Sequence, residues 1–471
     1  MMYNLNYDKQ ILQILKRRLP MTIIRQESLF GIQDLLEMNS SNRFEAIFST
    51  INIDPIVHFV SEKSIYGRPT ELNFHAMMYS LIVRIVDRIP TIKDLVKRLE
   101  NDFIFRYDCG FCFSDATPSE ASYSRLIEKL SKSSIIETVK DTLIFQAIYE
   151  GFISDDSASF DATHLESRDQ ATQEEEKPKP EKKKRGRKSK EEKAIFDQQK
   201  QAEEDAKGIY DKKIAAQLDV PLEVLESEMP IEPKWGIKKN SEGKNTYWFG
   251  YKAHLAVGTS SQYILKSYLS SGSLNDGKAA IPLLKAVGNL PLQMKYSIFD
   301  AGYDYLPIYQ QSLSQDIQPI IAYNKRNEGE YIGFDKHFAP TCVMEHSYRY
   351  DSYDSKYKTL KYKSPKECAT CPLAKDSLCQ KFYKVRQSTD LRKYAAPGRG
   401  TQKWKSLFKL RTSVERVNAY LKEFFQLNNV RHRTGAKAKL HLSLVTLVFN
   451  CTKLAVDRIN KVLINNKLQA A

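Results

Sequence analysis

The feature that most constrains this chain is a change of period near residue 155. Before it, apolar residues recur at spacings of three and four, as in "FHAMMYSLIVRIVDRI" and "SYSRLIEKLSKSSIIETVKDTLIFQAIYE". That spacing predicts helices, and residues 1–150 read as an independent all-α N-terminal domain for DNA binding or dimerisation. "TPSEASYSRL" offers Thr117 or Ser119 as a helix cap, with Pro118 suited to the first turn. In "SASFDATHLES" the period drops to two: Ser159, Asp161 and Thr163 alternate with Phe160, Ala162 and His164. Alternation of that kind predicts a strand.

Strand-like pieces return from residue 247, in "YWFGYKAHLAVG", "YILKSYLSS", "YSIFDAGY" and "QPIIAYN". Helix-like stretches such as "DGKAAIPLLKAV" and "DYLPIYQQSL" lie between them, so residues 151–325 predict a mixed α/β domain. A charged low-complexity insertion interrupts it at 168–232, with seven basic residues and no acid between 182 and 190. So little apolar surface predicts a flexible, solvated excursion, although "RGRK" also suits a narrow minor groove. Residues 326–400 are rich in cysteine and tyrosine with little periodicity, and helical spacing resumes over 401–471.

Charge narrows the partners. The formal net charge is +15, and the last 71 residues hold 14 Lys/Arg against three acids, Glu415, Glu423 and Asp457. A concentrated basic surface favours a polyanion, of which nucleic acid is the commonest. The opening stretch is charged and carries no signal-peptide core, and "LHLSLVTLVFNCTKLAV" contains His441, Asn450 and Lys453, which suits a buried helix better than a membrane span. These features predict a cytoplasmic protein with no membrane partner. Seven cysteines in a reducing compartment then point to metal or core roles.

Three carboxylates stand out. Asp161 lies in a strand, Asp300 ends the strand "YSIFD", and Glu415 sits within "FKLRTSVERVNAYLK". On one continuous helix Phe408, Arg411, Glu415 and Lys422 share a face, beside a packing stripe of Leu410, Val414, Val417 and Leu421. Arg411 with Glu415 alone would be an ordinary intrahelical pair worth about 0.2–0.5 kcal/mol. Two strand-borne aspartates and a helix-borne glutamate together suit a pair of Mg²⁺ ions, the chemistry of phosphodiester cleavage. Arg411, Arg416 and Lys422 would then hold DNA phosphates near the metals.

These motifs resemble the DDE transposases of bacterial insertion sequences, in the group with a Tyr-Arg-Glu-Lys signature. Phe408, Arg411, Glu415 and Lys422 keep its spacings, with Phe in place of Tyr. "SFDATHLES" and "FDAGYDY" resemble its two aspartate segments, "WFGYKAHLAV" the strand between them, and "PTELNFHAMMYSLIVRI" with "TPSEASYSRL" a helical N-terminal domain. The resemblance implies a ribonuclease H-like core and two Mg²⁺ (or Mn²⁺) ions on Asp161, Asp300 and Glu415. It also implies cutting and strand transfer at inverted terminal repeats, with double-stranded DNA ends and target as partners and a homodimer in the DNA complex.

Other residues carry weaker signals. Cys342, Cys368, Cys371 and Cys379 suit a structural Zn²⁺ site, a zinc-ribbon-like insertion within 326–400, with His337 and His346 as rivals for the fourth place. Cys109, Cys112 and Cys451 read as core. Arg431, Arg433, Lys437 and Lys439 read as phosphate-binding. Trp235, Trp248 and Trp404 suit core packing or stacking on an unpaired base, His254 a packed strand position, and Asn324 the catalytic face. Two rival functions fit the same residues: a non-catalytic DNA-binding regulator, and a structure-specific nuclease that cuts without strand transfer.

Overall fold

A computed structural model describes residues 40–61, 72–112, 114–171, 206–239, 242–329, 331–374 and 379–470, with a few positions between 193 and 204. Residues 182–190, the most basic run, lie outside the described residues.

The first part is helical, as its period predicts: α1 (Ser40–Phe48), α2 (Asp54–Ser61), α3 (Phe74–Val86), α4 (Ile92–Asn101), α5 (Phe103–Asp108), α6 (Glu120–Ser131) and α7 (Ile135–Tyr149). Side chains set the starts of several. Asn73, Thr91, Asp102 and Ser119 each accept a hydrogen bond from a backbone N–H in the first turn of the helix that follows. Ser119, not Thr117, is therefore the cap, and Pro118 precedes it.

The sheet begins with β1 (Ser157–Glu166), which covers the alternating stretch. After α8 (Leu222–Ser227) come β2 (Lys234–Lys239), β3 (Asn245–Gly258), β4 (Ile264–Ser271), α9 (Asp276–Gly288), β5 (Tyr296–Phe299), α10 (Leu306–Ser314) and β6 (Gln318–Ile321). Strand order is β2-β3-β1-β5-β6, with β4 also on β3. β1 runs antiparallel to β3 and parallel to β5, and β5 runs parallel to β6. This mixed α/β arrangement fits a ribonuclease H-like core. Gly250 lets β3 pass under β1: a Cβ there would lie 2.2 Å from the Leu165 carbonyl oxygen.

Two expectations change here. Residues 206–232 are not a solvated excursion, because Tyr210 and Leu225 are buried and the Tyr210 hydroxyl donates to the Leu225 carbonyl at 2.7 Å. Lys285 on α9 donates to the carbonyls of Gln217, Leu218 and Val220, which pins this segment to the core. The helical N-terminal part is not independent either. One apolar core runs from Phe44 through the sheet to Ile459.

The element that joins them is α13 (Gly435–Ala470), which packs on α1, α3, α6, α7 and β4. It is long and apolar enough to cross a membrane by composition, yet it is buried inside the fold. Asn450 explains part of its fit: its side chain bonds both the Ile264 N–H (3.0 Å) and the Ile264 carbonyl (2.9 Å), closing the end of β4.

The cysteine-rich segment carries a second sheet, β7 (Arg349–Asp354), β8 (Thr359–Lys363) and β9 (Phe382–Arg386), in that order. It has its own small core of Phe338, Tyr348, Leu360, Tyr362, Val385 and Tyr394. Aromatic packing therefore gives this segment an interior that its weak periodicity did not announce. After it come α11 (Gln402–Lys409) and α12 (Thr412–Phe424).

Candidate active site

The sheet register places the two aspartates. Ser159 on β1 stands opposite Ile298 on β5, so two residues further along both parallel strands Asp161 comes beside Asp300. Beneath them Phe160 stacks on Phe299 at 4.4 Å, and Tyr303 packs against Phe299 at 5.2 Å. Asp300 is fixed by its own turn, its Oδ1 accepting the Gly302 N–H at 2.7 Å.

The electrostatics show strain between the carboxylates. Burial pushes the Asp161 carboxyl up to about 6, with the Asp300 and Asp276 charges adding and the Ala162 N–H and Lys238 opposing. Asp276 opens α9 and is held by Lys252 at 2.8 Å. Burial, then Asp276, Asp161 and Asp300, drive the Tyr303 hydroxyl well above its ordinary range. Carboxylates crowded on a buried floor are what a divalent cation relieves.

α12 lies across β1. Ser413 Oγ and Ser159 Oγ meet at 2.6 Å, and the Asn418 amide donates to Asp161 Oδ2 at 3.4 Å. Asn418 Oδ1 is buried without a protein partner, an oxygen beside the aspartates free to accept from a bound water. Glu415 lies three residues before Asn418 in the first turn of α12. Its carboxylate is exposed and paired with Arg411 at 2.6 Å. Among the described residues no three His, Cys, Asp or Glu side chains stand at metal-binding separation, so Glu415 does not complete a triad in this conformation.

The helix around Glu415 also departs from expectation. The chain breaks between α11 and α12, so Phe408 and Glu415 lie on different helices and Arg411 caps the second. Val414, Val417 and Leu421 are fully buried as predicted, whereas Leu410 is exposed. Phe408 stacks on Trp404 at 5.0 Å, with the Arg411 guanidinium 5.8 Å from the Phe408 ring. An aromatic ring, not a hydroxyl, is thus what position 408 contributes.

The basic candidates divide. Arg416 and Arg433 are exposed, and Arg431 bonds Asn429. Lys422 is half-buried; burial and Lys238 disfavour its ammonium while Asp161 favours it, which sets it beside the aspartates. Lys437 is not a free phosphate ligand, because it pairs with Glu128 at 2.6 Å. Lys238 on β2 is a neighbour of the site that spacing alone did not reveal.

The cysteines gather without closing. Burial raises the Cys368 thiol, and Cys342, Cys371 and Cys379 all add to that rise. They are neighbours, yet the expected zinc-ribbon insertion is not supported, since no three of the described cysteines stand at ligand separation. The His337 ring lies where a Cβ on Gly400 would clash with it. Cys109 and Cys451 are buried as expected, while Cys112 is exposed. His254 is fully buried and meets Ser270 Oγ at 2.7 Å. Trp248 is core, whereas Trp235 is 56% exposed. Asn324 serves the loop behind Asp300: its N–H donates to Asp304 Oδ2 at 2.9 Å.

Asp161 gives a test that needs no substrate. Its carboxyl is raised from 3.8 to about 6 in the folded protein, so its stabilising share is complete below about 4 and is lost as pH rises through 6. Asp161→Asn removes that ionisation, so the metal-free variant should be more stable than the parent at pH 8 by ~2–3 kcal/mol, with the gap closing at pH 4. Urea denaturation at the two pH values measures it; equal gaps at both would contradict the assigned burial.

Comparison with known families agrees with this geometry. The family described as "Transposase DDE domain" matches residues 221–451, which include Asp300 and Glu415; Asp161 precedes the match. The family described as "Transposase domain (DUF772)" matches residues 32–129. No curated protein matches the chain. With both matches in sequence order and a mixed sheet that sets two aspartates together, the chain belongs to the DDE transposases of insertion sequences.

Proposed function

We propose that this transposase binds the terminal inverted repeats of its element, cuts them, and joins the freed ends to target DNA. Asp161, Asp300 and Glu415 would hold two Mg²⁺ (or Mn²⁺) ions. The observation that carries this reading is the adjacency of Asp161 and Asp300 under a helix fastened to β1 through Ser413 and Ser159.

The residues fit that task. Asp161 must release its proton, and ion binding drives the release because the carboxyl sits at about 6. Glu415 must leave Arg411, a pair worth only about 0.2–0.5 kcal/mol, and its departure frees Arg411 for a DNA phosphate. Asn418 holds the outer oxygen of Asp161 in place. Lys422, Arg416, Arg431 and Arg433 would bind phosphates along the same side. When bound, the ions would activate the attacking oxygen and stabilise the leaving one. The protein would work as a homodimer on paired ends, in the cytoplasm, with no membrane partner.

The test uses a plasmid carrying the gene's own flanking DNA, purified protein and Mg²⁺, with strand ends mapped for the parent and for Glu415→Gln. Cuts at the element boundaries by the parent alone are expected. Binding without cuts would favour the regulator, cuts without joining the nuclease, and equal cutting by both would remove Glu415 from the metal set.

A structural zinc is a second proposal, favoured by the convergence of Cys342, Cys371 and Cys379 on Cys368. Four thiolates suit Zn²⁺. Elemental analysis should find one zinc per chain, lost in Cys368→Ser; a zinc-free protein of unchanged stability would end the idea.

A further inference from the structure

The β2–β3 ribbon has surface that the catalytic proposal leaves unused. β1 stops pairing at Glu166 opposite Gly250, and β4 stops at Ser271 opposite Tyr251. Beyond that point only residues 234–239 and 245–250 pair, so two strands project past the sheet. Such a ribbon is marginal in water unless one face is covered. Instead, Trp235, Ile237 and Tyr247 are 56, 60 and 57% exposed.

Register says which way they face. Ile237 stands opposite Tyr247 and Trp235 opposite Phe249, with the Trp235 and Phe249 rings 5.6 Å apart. Asp161 stands opposite Leu255. Residues 247, 249 and 255 on β3 are separated by even steps, so the rings and Asp161 lie on the same side of the sheet. The opposite side presents Lys234 and Lys238, paired with Gly250 and Thr246. Lys238 also acts, with Lys422, on the His164 imidazole, which burial and these two cations hold low. The ribbon therefore offers flat rings on the side of the aspartates and cations along its back.

We infer that the exposed ladder of Trp235, Ile237 and Tyr247 is a stacking platform for single-stranded DNA beside the catalytic aspartates. Flat rings gain from unpaired bases, whose faces are bare, and gain little from a duplex, whose faces are stacked on each other. Lysines on the same two strands hold the phosphates that accompany those bases. The inference rests on the transposase reading for its source of unpaired DNA, the strands opened at a cut end.

The test measures binding of the full chain to a twelve-nucleotide oligothymidylate and to a twelve-base-pair duplex. The single strand should quench tryptophan emission of the parent. Trp235→Ala with Tyr247→Ala should weaken single-strand binding by about tenfold or more, the loss expected for stacked bases, with duplex binding held within about twofold. Trp235→Phe keeps a ring and should retain most of the binding, a control that does not depend on the double variant folding. No quenching, equal losses on both probes, or a change of oligomeric state in the double variant would each overturn the platform, the last by making the face a contact between copies. Cleavage of the element ends is followed in parallel. Cutting without the single-strand effect removes the platform and leaves the transposase chemistry; the single-strand effect without cutting does the reverse.

Discussion

Asp161→Asn should lower strand cleavage by about a thousandfold or more, because an ion that stabilises both attacking and leaving oxygens supplies several kcal/mol to the transition state. Asp161 is placed for this by covalent neighbours it cannot escape: β1 on one side of it pairs with β3, on the other with β5. The amide keeps the shape and still meets Asn418, so folding survives while the anionic ligand is lost. The same substitution should therefore raise metal-free stability at pH 8 and abolish chemistry. The pair of outcomes discriminates between explanations. A variant that is inactive and less stable would mean that Asp161 supports the sheet. An active, more stable variant would mean that the metal is held elsewhere. Single-turnover cleavage with Mg²⁺, run beside urea denaturation without it, reads both.

Asp304→Asn should destabilise the protein by roughly 3–5 kcal/mol, the range for breaking a buried ion pair from one side. Asp304 is fully buried and pairs with Arg392 at 2.7 Å. It also accepts the Tyr309 hydroxyl at 2.8 Å and the Asn324 N–H at 2.9 Å. Arg392 reaches on to Glu328 at 2.9 Å and lies over the Tyr323 ring at 5.0 Å. Arg399 follows, donating to the Ile321 carbonyl at 2.6 Å and to the Tyr309 hydroxyl at 3.1 Å. The network ties the cysteine-rich segment to the strand ends that carry Asp300. Losing it should show first as faster amide exchange over residues 326–400, with the sheet protected longer. A loss below about 1 kcal/mol would mean that Arg392 and Glu328 hold the joint without Asp304.

The legible parts of this chain were those set by local geometry. Alternation found β1, spacing found the buried stripe Val414, Val417 and Leu421, and the ends of strands pointed to Asp161 and Asp300. The break before Thr412 was hidden because "FKLRTSVERV" keeps helical spacing across it, and only the closing of Arg411 on Glu415 marks the new start. Trp235 was read as core because a lone tryptophan usually is, although "KWGIK" alternates lysine with apolar residues and ends opposite a second such run. Arg392 with Asp304 had no signal at all, being 88 residues apart with neither in a periodic segment. The shared core was invisible for the same reason. Periodicity shows that a helix has an apolar face; it does not show what covers that face.

The long helix Gly435–Ala470 sets an order of assembly. Every element it packs against, from α1 to β4, is synthesised before it. Until it arrives, the helices of the first 150 residues and the sheet leave apolar surface open to each other's copies and to chaperones. A chain cut short anywhere before this helix would thus be a folding failure and not merely an inactive enzyme. An element that carries such a gene can silence it with a stop codon far downstream of both aspartates.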